Sequence, residues 1–423
     1  MSLRLPSPPS LAPGGRLWIG YSGGGDSTVL LHLAAASGLQ RVAAVHVHHG
    51  LQPAADDWVR HCRRQCRALG VPLRVLRVRV TAEGGGVEAA ARAARYTALA
   101  ELLRPGDVFA TAHHRDDQAE TVLFRALRGT GIAGLGGMRE REPLGAGVLW
   151  RPLLEVSRAR LQAYAQSHRL DWIEDPHNRD PRYARAFLRH AVLPQLGGHF
   201  PAAAESLARL AQHAQSAQRL LSTLADLDRE RLEQRGGFDV AALVALEPER
   251  RDNLLYHAWR RLGLPQPDAG WYARLEREVL RARADGQPLL AHGAGEARRY
   301  RGRLYLLPRL PPAPAPDSVL VWGRRRRVRL PPGCGSLGCT RVPPAGVTLR
   351  FARGGERLKP AGSRHSRTLK NLCQEAGLPP WVRCRMPLVW LGDELIAVAG
   401  DWRSERAVAL GLAFTWTHAL PGV

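Results

Sequence analysis

The chain has 423 residues and carries 61 Lys+Arg against 38 Asp+Glu, a formal net charge of +23. At about 150 residues per domain this length suggests two or three domains, and a 45% apolar content excludes a chain disordered throughout. No apolar run reaches the roughly 18 residues that a membrane span needs, and the N-terminal segment lacks an apolar core of signal-peptide type, so a soluble, cytoplasmic protein is expected.

Lys359 and Lys370 are the only lysines, so almost all of the positive charge is arginine. Arginine keeps its charge at any working pH and bonds phosphate bidentately. An excess of this size calls for a polyanionic partner, nucleic acid first; an arginine-biased genome is the alternative. The six cysteines form no C-x-x-C pair, which argues against a zinc ribbon or an iron–sulfur site. Cys62 and Cys66 lie four apart on an expected helix, a spacing that points to shared packing.

In chain order, Arg16–Tyr21 reads as a buried strand, Ser27–Ser37 as a helix and Arg41–His48 as a second strand. Trp58–Leu69 reads as a helix, Leu73–Val80 as a strand and the Ala-rich Val87–Leu103 as a helix; Asp107–Ala112 is a fourth strand and Asp116–Leu127 the helix after it. This rhythm predicts an α/β, doubly wound parallel sheet, with ligands beyond the carboxyl ends of its strands. The expected division is a catalytic domain over 1–200, a mainly helical domain over 201–308 with a late strand pair, a Pro-rich linker over 309–317 and a small α+β domain over 318–423 with one helix near Thr368–Glu375.

Between the first strand and first helix lies Ser22-Gly23-Gly24-Gly25-Asp26-Ser27. Three glycines let a backbone turn tightly and approach a ligand. Its amides, with a helix N-terminus behind them, suit an anion, and Ser22 and Ser27 add hydroxyl donors. It is neither a Walker loop, whose lysine is missing, nor a G-x-G-x-x-G fingerprint. Asp26 among phosphate donors would repel phosphates unless a cation stands between them, which points to Mg²⁺ and ATP.

S-G-G-x-D-S resembles the motif of the PP-loop, or N-type, ATP pyrophosphatases. Further segments resemble the tRNA(Ile)-lysidine synthetase family: His46-Val-His-His-Gly50, Glu88–Arg92 with Arg95-Tyr96, Ala112–Thr121, Arg128–Met138, Arg151–Leu154, and Trp172–Asp175 with Asn178. Arg353–Glu356, Ser366–Lys370 and Pro379–Trp381 resemble the C-terminal domains of its longer members. The resemblance implies that ATP adenylates the C2 oxygen of the wobble cytidine in a CAU anticodon. Free L-lysine then displaces AMP, giving lysidine. The implied partners are ATP, Mg²⁺, tRNA(Ile) with a CAU anticodon and lysine; a homodimer is one assembly the sequence allows.

The residues bear on this chemistry independently. Asp116, Asp117 and Glu120 open a helix after a strand end, with Asp116 a natural N-cap and Asp117 and Glu120 on one face. Such a pair can hold an ammonium group and take up its proton; an acidic first turn complementing the helix dipole is the plainer reading. His114, beside His113, is a candidate contact to ATP phosphates or to cytosine. Arg92, Arg128, Arg185 and Arg189 are candidate nucleotide or tRNA contacts. Arg182, Arg185 and Arg189 recur at helical spacing, as a phosphate-binding or a merely solvated face. The family's Arg-Asn pair is Arg185-Ala186 here, so the Asn amide is missing. Arg324–Arg327 is an electrostatic footprint for RNA. Tyr300, Tyr305, Trp322 and Trp381 read as core before stacking platforms. A PP-loop tRNA thiolase, a non-catalytic RNA-binding protein and a small-molecule amidotransferase are the competing readings.

Overall fold

The computed structural model describes residues 3–9, 11–50, 55–80, 87–174, 184–234, 236–283, 286–399, 402–418 and 420. It divides into two compact units, Met1–Leu220 and Leu221–Val423.

The first unit is built on β1 (Leu17–Gly20), α1 (Gly25–Ala35), β2 (Val42–His48), α2 (Ala55–Ala68), β3 (Leu73–Arg77), α3 (Val87–Leu102), β4 (Val108–Ala110) and α4 (Arg115–Ala126). A short α5 (Ile132–Leu135), β5 (Arg141–Leu144), β6 (Gly147–Trp150) and α6 (Arg158–Ser167) follow. The sheet order is β3-β2-β1-β4-β6-β5, parallel except for β5, which pairs antiparallel with β6. Strand alternation sends successive side chains to opposite faces. Leu17 and Ile19 enter one core with Leu30 and Leu31 of α1, Cys62 and Cys66 of α2 and Leu161 of α6. Trp18 enters the other with Val45, Phe109 and Leu99 of α3. Both faces are therefore covered by helices, as the near-continuous apolar strands require. After β3 the chain crosses back to place β4 on the far side of β1, so the strand order reverses between β1 and β4. In such sheets the crevice at that reversal is where ligands bind.

Beyond α6 come α7 (Ala184–Phe187), a π-helical turn at Leu188–Val192, α8 (Leu193–His199) and the 30-residue α9 (Ala203–Leu232), which runs into the second unit. In that unit the expected helices are joined by a five-stranded sheet. The late strand pair is β10 (Gly295–Tyr300) and β11 (Arg303–Pro308), flanked by β7 (Glu233–Gln234), β8 (Gly237–Asp239) and β9 (Leu289–His292). These flanking strands are two to four residues long, too short to show a periodicity. Further along lie a five- and a three-stranded sheet and a helix at Leu369–Glu375, whose N-cap Thr368 accepts from Asn371 N at 3.2 Å. Within the expected linker the Pro311 and Pro316 carbonyls accept bonds from Arg385 and Arg353. Tyr300, Tyr305, Trp322 and Trp381 are buried in the cores. Among the described residues no helix is long and apolar enough to cross a membrane.

Candidate active site

The loop after β1 and the segment after β4 meet at the strand-order reversal. Gly23 has φ +90°, a left-handed conformation that glycine adopts without strain. Gly24 is the N-cap of α1 and supplies no capping side chain, so no side chain of the N-cap claims the first-turn amides. Ser22 Oγ lies 3.0 Å from Ser27 Oγ, and Ser27 Oγ and Thr28 Oγ1 donate to Gly24 O at 2.9 and 3.0 Å. These bonds set the turn from within. Trp172 and Ile173 lie across it: Ile173 N donates to Gly23 O at 2.9 Å. A Cβ at Gly23 would come within 3.1 Å of Ile173 Cδ1, and one at Gly25 within 3.6 Å of the Trp172 ring. Gly23 is thus needed both for the turn and for the cover laid on it, whereas the contact at Gly25 is an ordinary van der Waals one.

Asp26, in the first turn of α1, faces His114 at the end of the β4 segment. His114 Nε2 is 3.6 Å from Asp26 Oδ2 and 3.4 Å from Asp117 Oδ2, and the His114 side chain is 1% exposed. Burial pushes the Asp26 carboxyl up, but the His114 hydrogen bond and charge, helped by Arg158 and Arg189, outweigh it and hold the carboxyl below its ordinary value. Burial likewise opposes a charge on His114, yet the Asp26 bond and the charges of Asp117, Asp26 and Asp116 raise it above the usual imidazole value. His113, bonded through Nδ1 to Thr111 Oγ1 at 2.8 Å, is driven by burial down to about 4 and is neutral at pH 7.

The N-cap of α4 is His114 and not Asp116, which corrects the expectation from sequence. In its neutral form the His114 imidazole Nδ1 accepts from Asp117 N at 3.3 Å, and in either form Asp117 Oδ2 accepts from His114 N at 3.0 Å, a reciprocal capping box. Asp116 is turned instead to α6, where its Oδ2 accepts from Arg158 N at 2.8 Å.

Asp117 and Glu120 do share one face, and what meets it is Arg189. Its Nε donates to Glu120 Oε1 at 2.5 Å, and its Nη2 to Asp117 Oδ1 at 2.6 Å and Glu120 Oε2 at 2.9 Å. Burial pushes the Glu120 carboxyl up even against that guanidinium. Of the arginine face expected over Arg182, Arg185 and Arg189, Arg185 lies on α7 and Arg189 in the π-helical turn after it, and neither is simply presented to solvent. Arg189 is held by carboxylates, and Arg185 lies over Phe124 of α4, its Cζ 6.0 Å from the ring centroid. Arg128 lies over the same ring at 5.3 Å, and Arg92 stacks on Tyr96 at 4.9 Å. Arg182, Asp175 and Asn178, and the Glu88 side chain, lie outside what is described. Ala186 is buried, 8% exposed.

Sequence reasoning gave no role to Arg158, Trp172 or Ile173. The Trp172–Asp175 segment carried a signal only through the family resemblance, since nothing in its spacing says that it crosses the loop.

Comparison with known proteins adds an independent line. Residues 6–196 match the family model of a PP-loop domain, 238–305 that of a TilS substrate binding domain, and 347–414 that of a TilS substrate C-terminal domain. A tRNA(Ile)-lysidine synthase of Pseudomonas aeruginosa is 47% identical, with 91% of this chain and 92% of that protein covered. One from Alkalilimnicola ehrlichii is 44% identical, covering 94% and 92%. Among solved structures, a U34-tRNA thiolase from Methanococcus maripaludis with its [4Fe-4S] cluster is 17% identical with a TM-score of 0.40, covering 48% of this chain and 73% of that one. That likeness is too slight to bear on function.

Proposed function

The chain belongs to the tRNA(Ile)-lysidine synthase family, and from that premise we propose that it ligates free L-lysine to C2 of the wobble cytidine of tRNA(Ile) with a CAU anticodon, consuming ATP and releasing AMP and pyrophosphate. The observation that carries the site assignment is the meeting of the uncapped Ser22–Ser27 turn with His114, Asp117 and Glu120 at the strand-order reversal. The TilS-type matches and the curated relatives favour lysine transfer over sulfur transfer.

In this reading the amides of Gly24, Gly25 and Asp26 hold the ATP phosphates, and Gly24 N and the hydroxyls of Ser22 and Ser27 exchange their bonds within the turn for phosphate oxygens. Asp26 is ionised and 42% exposed, which fits a divalent cation between it and the phosphates. Mg²⁺ held there would neutralise charge on the phosphates. The cytidine C2 oxygen attacks the α-phosphorus and pyrophosphate leaves. The lysine ε-amine then attacks C2 and AMP leaves. An amine attacks only when neutral, so a base must take a proton from the ε-ammonium. Asp117 and Glu120 are the carboxylates placed for this, and a carboxyl pushed up by burial is a stronger base than an exposed one. Arg189 already occupies both, so a substrate ammonium must compete with its guanidinium for the same oxygens. The arginine surface of the chain, Arg324–Arg327 included, serves the tRNA backbone, and the protein works in the cytoplasm.

The test is incubation with ATP, Mg²⁺, labelled lysine and a CAU-bearing tRNA(Ile) transcript. ATP-dependent, acid-stable incorporation of lysine at the wobble position is expected. Tight tRNA binding without incorporation would leave a non-catalytic RNA-binding protein as the better description.

A further inference from the structure

The carboxyl-terminal half of α4 carries a second feature that the ATP and lysine roles leave unused. Phe124, Arg125, Arg128, Thr130, Gly134 and Arg185 line an open cavity of about 360 Å³. Phe124 is half-buried, and two guanidinium groups lie against its ring, Arg128 at 5.3 Å and Arg185 at 6.0 Å. Among the described residues neither arginine is bonded to a carboxylate, so an aromatic ring positions them and leaves their N–H groups to a ligand. Arg125 also lines the cavity, with Nη1 donating to Gly134 O at 3.1 Å and Gly137 O at 2.8 Å. Burial lowers the Arg125 guanidinium below its ordinary value, and Arg185, Arg151 and Arg92 add to this while Glu142 opposes it. Gathering like charges costs free energy that a bound anion offsets. The loop wall is tightly fitted: a Cβ at Gly134 would meet Thr130 Oγ1 at 1.7 Å.

The position of the cavity says which anion. Asp117, Glu120 and Phe124 follow one another at helical spacing along one face of α4, and Arg128 lies in the turn just past its C-cap Leu127. At 1.5 Å per residue, Phe124 lies roughly 10 Å along the axis from Asp117. Arg189 and Arg185, four residues apart, meet the carboxylates and Phe124 respectively. Leu127, the C-cap of α4, and Phe187, at the end of α7, are 71% and 49% exposed, apolar surface of the kind that unstacked bases cover.

We propose that this Phe124–Arg125–Arg128–Arg185 cavity binds the nucleotide next to the modified cytidine, its base stacked on the Phe124–arginine layer and its phosphate held by Arg128 and Arg185. The proposal rests on the lysidine reading of the adjoining carboxylate site. It makes α4 a ruler: one end handles the reacting base, the other fixes its neighbour.

The experiment measures binding of the full-length protein to CAU-bearing tRNA(Ile) transcripts across a salt series. Phe124→Leu, which keeps apolar bulk but removes the ring, is expected to weaken binding about tenfold with an unchanged salt slope. The Arg128→Gln/Arg185→Gln double variant is expected to weaken it on the order of a hundredfold and to flatten the slope by about 0.7 for each phosphate that is no longer neutralised. Arg185→Lys keeps the slope and loses affinity. A transcript with an abasic sugar beside the wobble cytidine should lose about tenfold with wild type and nothing further with Phe124→Leu. The proposal is overturned if these variants bind the transcript as wild type does, if the abasic penalty is equal in both proteins, or if the arginine variants lose ATP affinity while keeping tRNA affinity. Wild-type protein that binds this tRNA with the abasic pattern above but transfers no lysine would sink the enzymatic reading and leave the cavity assignment standing.

Discussion

The Ser22–Ser27 turn and the His114–Asp117–Glu120–Arg189 cluster adjoin each other but are made of different material. The turn is six consecutive residues whose donors are backbone amides and two hydroxyls, with hydroxyl bonds spanning no more than five positions. The cluster is charge set against charge, and Arg189 reaches it from 69 and 72 positions away. A backbone site depends on local conformation and buries little charge. A site of buried charges must stay balanced, because each group is costly without the others. Substitutions in the turn should therefore act on ligand handling, and substitutions in the cluster on folding as well.

The largest effect tests the turn. Asp26→Asn keeps shape and removes the charge that the cation needs. Labelled-lysine transfer should fall on the order of a hundredfold or more. A variant that transfers lysine at the wild-type rate would remove Asp26 from the chemistry and break the contrast from the turn's side.

Next comes Arg189→Gln, which leaves Glu120, with a side chain 6% exposed, without its guanidinium. A buried charge that loses its partner costs about 3 kcal/mol, to be read from urea unfolding. A loss below about 1 kcal/mol would mean that the cluster is as forgiving as the turn.

Smaller effects appear in pH series. Glu120 is raised above its ordinary 4.5, and a base works only when deprotonated. The transfer rate should therefore climb with pH through that raised value, and Glu120→Gln should erase this limb of the profile. The sign is opposite for His114, which is raised above 6.5. The folded protein holds that proton more tightly than the unfolded chain does. The stability it contributes is complete below pH 6.5 and is lost as pH rises through the folded value. Asp26→Asn should move the His114 imidazole resonance to a lower titration midpoint; an unmoved midpoint would separate the two residues.

The smallest change is Asp116→Ala. It removes the acceptor for Arg158 N at the start of α6 and should cost about 1 kcal/mol in urea unfolding.

Much of the first unit is legible in the sequence. Strands and helices from Arg16 to Leu127 fall where apolar runs and Ala-rich periodicity place them, because each is decided by the residues inside it. The Ser22–Ser27 turn is legible for the same reason. The N-cap of α4 lies two residues before the position that residue type suggests, because an imidazole does the work a carboxylate usually does and only the fold shows which group points at the open amides. The strands β7 to β9 escape a sequence reading because two to four residues carry no period.

The amino-acid order by itself determined the alternation of strands and helices, the anion-holding turn and the excess of arginine, since each follows from backbone sterics, side-chain period or plain counting. Tertiary structure alone decided that Trp172 and Ile173 close over that turn, that Arg189 lands on Glu120 and Asp117, and that Arg128 and Arg185 share one phenyl ring. Each of these depends on which helices pack together across dozens of intervening residues, and such distances are set by the burial of whole faces, not by any local pattern.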